Sequence, residues 1–485
     1  MAGNQSTEPN KSDEWSIQLL ISDNNDWTDD GTFSRNGLAY RAEGNANLVV
    51  SINQRRQILR LLKVVKECND GGRDDTELKK LQQSLAYVKL FTLLLTDEFT
   101  VIPQIAEVII NDYDAFNRWL LPYRPEERTV KEVRCRYGLL YPDVAFMPDR
   151  LSLNKSNELW NGDQDTYCIE IKPKQGWTLG KCNPNPFPGI DLNGIDKCRY
   201  CAMQYWKLTE RKIQRASQYC PIDLFSGYSN RMHRAIKGLI EEPQNNFRLC
   251  KNGQLVFDNN TESSAIHSIV GDIFKQRPSV TLDDFVDLIL LMLIKDFNKI
   301  EQDGGGISKT HNNDRKCAEP TKNALPANSI LKQILDIQLL SKSYVWSIDD
   351  FKETHSNAPS QCANKGFTKR VADISNSRSV RENFFENLSK TECYTLGATA
   401  LDCSIMLTFQ WIYDTDTDSI THNIRKHIIS HGRDKFLVNA TAVDVDPKTP
   451  EHFVKYIKQT NASHKAYRGT LNNELESTDG KLDFV

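Results

Sequence analysis

No run of residues in this chain is both apolar and long enough to cross a bilayer. The longest apolar stretch, near Phe285–Ile294, is broken by Asp287 and falls short of the ~18 residues that a span needs. An excess of one charge sign is also missing. Net charge is −3 over 485 residues, whereas a domain that grips nucleic-acid phosphates over a broad face is usually strongly basic. Nucleic acid and membrane are therefore not expected partners, and any polyanion site must be local. The segment Met1–Trp15 is polar and lacks the apolar core of a secretory signal, so cytoplasmic and/or nuclear residence is expected. The twelve cysteines contain one C-x-x-C, Cys198–Cys201, with no second pair at zinc-ribbon spacing. Cys182 and Cys220 are the nearest further thiols. Buried, reduced cysteines are the expectation, and no structural zinc is expected. There is no Walker A loop and no G-x-G-x-x-G.

What is present is an ordinary globular balance, 39% hydrophobic and 26% charged, which argues against wholesale disorder. The length is too great for a single core. Residues 1–24 read as a flexible tail. Strand-like alternation follows in Gly37–Gly44, Asn47–Ile52 and Gln57–Lys63, and again in Tyr137–Met147 and Tyr167–Ile171. Helical spacing appears at Leu78–Leu95, Ser229–Glu242 and Leu282–Ile300, and a Gly- and Asn-rich insertion at 302–328 reads as disordered. Asp402–Gln410 and Lys435–Asp444 read as paired strands. The expected fold is α+β and bilobed, with a strand-rich N-terminal lobe over 25–170 and a larger mixed C-terminal lobe over 171–485.

Six clusters carry chemistry. Gly44-Asn45-Ala46-Asn47 joins two strands, and its small residues let backbone N–H groups approach phosphate; an ordinary hairpin turn explains it as well. Arg60 and Lys63 lie on the following strand, where kinases often hold ATP phosphates, or are solvated charges. In Glu170-Ile-Lys172-Pro-Lys174, proline ends a strand and two lysines bracket it, point charges suited to one anionic ligand. Asn245 and Asn246 can bond phosphate or hydroxyl groups without adding charge, or can end a helix. Asp402 precedes an apolar run and could accept a proton from an attacking hydroxyl, or be a turn aspartate. Asp444 and Asp446 alternate at a strand end, so both carboxylates could face one magnesium ion, with Lys448 beside them for a phosphate; a polar strand end is the alternative.

In this order the motifs resemble the inositol pentakisphosphate 2-kinase family over roughly residues 36–456. The resemblance rests on the EGN-x-x-LVV-type loop, EIKPK, CRYC, Tyr219-Cys-Pro-Ile-Asp-Leu, Gln244-Asn-Asn, Asp402-Cys-Ser-Ile-Met and the D-x-D-x-K at Asp444. It implies a bilobed kinase with its site in the cleft, which uses ATP and Mg2+ to phosphorylate the 2-hydroxyl of inositol 1,3,4,5,6-pentakisphosphate. A kinase for another inositol phosphate and a non-catalytic binder are the alternatives. The resemblance further implies that Gly44–Asn47, Arg60 and Arg248 hold ATP phosphates, with Asp149 and Glu170 near the adenosine. Arg128, Lys172, Lys174, Lys207, Asn245, Asn246, Lys448 and Tyr456 would hold the inositol phosphate. Asp402 would act as base with Lys172 beside it, and Asp444 and Asp446 would bind metal. A monomer is expected. An arginine of some members is absent near Glu451-His452. The zinc ligands of plant members are not matched by His355 and Cys362 alone.

Overall fold

The computed structural model describes residues 15–23, 26–65, 74–151, 165–180, 182, 184–192, 197–275, 277–300, 324–347, 388–412, 422–448 and 450–479. The chain divides into two compact units. The first comprises residues up to 89 together with 101–143, and the second residues 90–100 and those from 144 onward.

The first unit is built on a seven-stranded antiparallel sheet in the order β2-β1-β6-β7-β5-β4-β3. Its strands are β1 (Ser16–Asp23), β2 (Asp26–Ser34), β3 (Leu38–Glu43), β4 (Asn47–Ile52), β5 (Gln57–Val65), β6 (Gln104–Ile110) and β7 (Lys131–Pro142). Inward-facing Ile17, Leu19, Leu48, Val50, Leu59 and Leu61 form its core, as period-two alternation requires. Between β5 and β6 runs helix α1 (Asp74–Leu93), and between β6 and β7 the shorter α2 (Tyr113–Leu120). Asp112 caps α2 by accepting from the N–H of Ala115 at 2.9 Å. The ring of Trp15 packs edge-on against Phe116, with centroids 4.9 Å apart.

The second unit carries a six-stranded antiparallel sheet, β10-β9-β8-β11-β13-β12. Its elements, in chain order, are β8 (Tyr167–Ile171), α3 (Arg199–Thr209), α4 (Pro221–Leu224), α5 (Ser229–Glu241), β9 (Phe247–Lys251), β10 (Gln254–Phe257), α6 (Ala265–Ile273), α7 (Leu282–Ile294), α8 (Ile330–Leu340), α9 (Lys390–Ala400), β11 (Ser404–Ile412), α10 (His422–Arg425), β12 (Ile428–His431), β13 (Asp434–Val443) and α11 (Pro450–Asp479). The apolar α7 is buried along most of its length and opens on a capping box, Thr281 with Asp284. The pairing expected of the last two strands is found: β11 and β13 pair antiparallel, with Ser404 opposite Val443.

Three expectations are corrected. Residues 16–23 belong to β1, not to a tail; their alternation Ile17, Leu19, Ile21 lies on the core side of the sheet. Strand β7 stops at Pro142 rather than near Met147, and the units part between residues 143 and 144 instead of 170 and 171. Strand β8 pairs with β9 and β11, so it belongs to the second unit. Of the insertion at 302–328, only 324–328 lie among the described residues.

Candidate active site

In the first unit, β3 and β4 form a hairpin whose turn is Gly44-Asn45-Ala46. Gly44 N–H donates to Asn47 O (2.9 Å), and Lys63 N–H to Ala46 O (2.8 Å). With its amide oriented to satisfy both partners, Asn47 accepts from Arg60 Nη2 at 2.6 Å and Nε at 3.1 Å. No hydrogen bond among the described residues uses the N–H of Asn45 or Ala46. A Cβ placed on Gly44 would meet nothing within 4 Å, so neither packing nor a left-handed backbone demands glycine there. Arg60 stands against the loop through the Asn47 side chain. Lys63 does not, because its ammonium is buried and bonded to Glu43. Arg128 lies half-buried, on a short 3-10 turn.

In the second unit the charged groups gather at one end of the sheet. Glu170 is the last outward residue of β8, and Lys172 follows on the same side. Lys172 Nζ donates to Ser404 Oγ (2.9 Å) and Asp444 Oδ2 (3.2 Å) and lies 3.5 Å from Glu170 Oε1. Ser404 Oγ donates to Glu170 Oε1 (2.9 Å). Glu170 Oε2 also faces Arg248 Nη1 at 3.5 Å. Burial opposes the charge on Lys172, but Glu170 and Asp444 outweigh it and hold its pKa above the ordinary 10.5. Glu170, for which the resemblance implied an adenosine contact, is thus bonded to Ser404 and faces Lys172 and Arg248. Asp149 is exposed, with no hydrogen bond to that cluster among the described residues.

Beside it lies a second cluster. Asp402 sits between Lys174 (3.2 Å) and Lys448 (2.9 Å). Burial works against its ionisation, yet the two lysines more than offset this and hold the carboxyl far below its ordinary range. Burial pushes Lys174 below 10.5, with repulsion from Lys172 and Arg199 adding to it. Lys207 is lowered in the same sense, by burial and then by Lys174 and Arg199. Arg199, in the CRYC segment, places its guanidinium 4.6 Å over the Tyr456 ring and donates to Thr460 Oγ1 at 3.0 Å. These cations crowd one another around a single carboxylate, which is the electrostatic condition of a site shaped for an anion.

Other expected residues differ in detail. Asn246 is buried, donating through its amide to Tyr200 OH (3.1 Å) and accepting through its carbonyl from Lys172 N–H (2.9 Å). Asn245 is exposed, with φ +63°. Tyr456 is buried, and its hydroxyl donates to Gln175 Oε1 (2.8 Å), so it supports Arg199 with its ring. Asp444 and Asp446 do not alternate on a strand as expected, because β13 ends at Val443 and Asp444 turns left-handed with φ +59°. Asp444 joins Lys172 and Ser404, and Asp446 accepts through its carbonyl from Thr399 Oγ1 (2.9 Å). Ser404 and Arg199 were not singled out from sequence; the first lay inside an apolar run and the second inside a cysteine motif.

The described cysteines are free thiols, as read from the sequence, but three of them gather. The thiols of Cys198, Cys201 and Cys220 lie within 4.8 Å of one another; Cys198 is the N-cap residue of α3 and Cys220 that of α4. Cys182 is outside this group, its thiol directed to Thr178 O. Three thiols supply three of the four ligands a structural zinc takes, and no fourth joins them among the described residues. His355 and Cys362 lie outside the described residues.

The family model described as inositol-pentakisphosphate 2-kinase matches residues 40–462. The chain belongs to the inositol-pentakisphosphate 2-kinase family. A Danio rerio protein named inositol-pentakisphosphate 2-kinase is 26% identical, over 90% of this chain and 91% of its own length. A Drosophila melanogaster protein of that name is 29% identical, over 52% of this chain and 54% of its own. One from Arabidopsis thaliana is 29% identical, over 51% and 48%. The inositol-pentakisphosphate 2-kinase match spans both units and includes every charged group described above.

Proposed function

We propose that this protein transfers the γ-phosphoryl group of ATP to the 2-hydroxyl of inositol 1,3,4,5,6-pentakisphosphate, giving the hexakisphosphate. The observation that carries this is the second cluster: Asp402 ionised between Lys174 and Lys448, beside the mutually repelling Lys174, Lys207 and Arg199. A substrate with five phosphates relieves that repulsion. Both units contribute residues to this reading. The first supplies the Gly44–Asn47 loop and Arg60 for ATP phosphates, with Arg128 for the inositol phosphate. The second supplies Lys172, Lys174, Lys207, Asn245, Lys448 and Arg199.

Asp402 acts on the 2-hydroxyl. In the free protein two lysines keep it ionised; when substrate phosphates take up their charge, its proton affinity rises toward that of a useful base. Arg248 and Lys172 face the transferring group. Asp444 and Glu170, joined through Ser404 and bridged by the Lys172 ammonium, are hard oxygen donors of the kind magnesium takes, and would hold it once Lys172 turns to a phosphate. An ion held there would supply charge neutralisation for the phosphate groups. Phosphoryl transfer needs such placement more than covalent chemistry.

Asp402→Ala tests the assignment. It is expected to lower kcat by about 10²–10⁴-fold, the usual worth of a general base, with ADP affinity by calorimetry retained. Retained turnover would remove Asp402 from this role.

A further inference from the structure

The first unit contains a buried ion cluster that the chemistry above does not use. The Glu43 side chain is 0% exposed, and those of Lys63 and Arg124 are 1% exposed. Arg124 grips the carboxylate with two donors, Nε to Oε1 at 2.8 Å and Nη2 to Oε2 at 3.0 Å, while Lys63 bonds to Oε2. Two cations share one carboxylate, and Arg128 adds repulsion on Lys63, whose pKa is pushed down first by burial. A buried cluster of this kind is a poor source of stability, since apolar residues of similar volume often do as well or better. Its use must lie in what it connects.

It connects two segments of the proposed site. Glu43 is the last residue of β3, directly before the Gly44–Asn47 loop. Arg124 Nη2 also donates to Arg128 O (2.6 Å) and Lys131 O (2.8 Å), so one guanidinium fixes the turn that carries Arg128. Lys131 Nζ returns to the loop by donating to Asn45 O (3.2 Å), and Lys63 N–H holds Ala46 O. The loop's carbonyls and its flanking carboxylate are thus tied down. The N–H groups of Asn45 and Ala46 stay available.

We infer that Glu43, with Arg124 and Lys63, is a positioning residue. It orders the nucleotide loop and ties it to the Arg128 turn, so that nucleotide at the loop and a polyanion at Arg128 strengthen each other's binding. This rests on the loop and Arg128 assignments proposed above. Such coupling is reciprocal by necessity.

The test is calorimetry of Mg-ADP binding to the full chain, with and without inositol pentakisphosphate, for the natural protein and Glu43→Gln. The natural protein is expected to bind ADP about fivefold or more tightly with the polyanion present, the lower end of ordinary coupling. Glu43→Gln is expected to lose most of that factor, and Glu43→Asp to regain part of it. Hydrogen exchange at residues 44–47 should quicken in the Gln variant. A role in folding alone would lower Tm and leave the coupling factor intact. Equal coupling in Glu43→Gln, or none in the natural protein, overturns the inference. If Glu43→Gln shows no cooperative melt, Arg124→Lys carries the same expectation, because three donors on one lysine nitrogen cannot reproduce the two-donor fork on Glu43 together with both carbonyl contacts. Because ADP binding is read directly, an absence of hexakisphosphate would count against the proposed activity and not against this linkage.

Discussion

Gly44 separates two uses of glycine at the level of single residues. Gly176 is dictated by packing: a Cβ there would lie 2.4 Å from the Phe225 ring, so the glycine that follows the two lysines exists to admit an aromatic side chain. Gly44 has no such neighbour. Gly44→Ala is therefore expected to leave stability unchanged or raise it by about 0.4–1 kcal/mol through the unfolded chain. The KM for ATP should nevertheless rise, because a methyl group would sit where phosphate approaches. Thermal melts and ATP titrations check both halves, and an unchanged KM would return the loop to an ordinary turn. Titration gives a second residue-scale expectation. Lys174 and Lys207 have pKa values below 10.5 in the folded protein, so they lose charge at lower pH than free lysines do. The KM for inositol pentakisphosphate should climb as pH rises toward 10, before ordinary lysines titrate; a flat KM through that range would count against both cations as ligands.

Among elements, the junctions between strands and helices carry the site. The lysines of EIKPK are aimed by what lies behind them. Tyr219 is fully buried and donates its hydroxyl to Pro173 O at 2.6 Å. Helix α5 closes against its backbone, where a Cβ on Gly238 would come within 2.8 Å of Tyr219 N. Gln338 of α8 donates to Lys174 O at 2.7 Å and to Ala400 O at 3.0 Å, joining the lysine segment to the helix before Asp402. Tyr219→Phe would leave the Pro173 carbonyl without this donor, at a cost of about 1–3 kcal/mol. It is also expected to raise the KM for the inositol phosphate more than that for ATP. Urea melts and paired KM values test this; a loss of stability with both KM values unchanged would confine Tyr219 to the core.

Legibility follows the same scale. Strand alternation gave β4 and β5 and helical spacing gave α5, because those elements bury one regular face, whereas β8 and α7 were legible as apolar runs of strand and helix length. Lys172, Lys174, Asp402 and Lys448 were legible because each stands next to a strand or proline that fixes it. The role of Lys63 was not, because only the fold brings Glu43 and Arg124 to its ammonium. Pairing Asp444 with Asp446 failed for a backbone reason, the left-handed φ at Asp444, which no side-chain period reveals. Arg199 and the three-thiol group were hidden in one motif, since the partner thiol Cys220 lies 22 residues beyond Cys198.

At the scale of the whole molecule, a nearly neutral chain concentrates cations in one place. The net charge is −3, yet Lys172, Lys174, Arg199, Lys207 and Lys448 gather near two carboxylates, Asp402 and Asp444. Such a local field serves a small polyanion and would not hold a long one. Family membership and this cluster converge on one reaction. The most direct test is to incubate the purified protein with Mg-ATP and inositol 1,3,4,5,6-pentakisphosphate and to identify the product by position. The expected result is the hexakisphosphate, with the new phosphate on the 2-oxygen and one ADP released for each. Binding of both ligands without that product, or phosphate transfer to a different inositol phosphate only, would contradict the proposed activity.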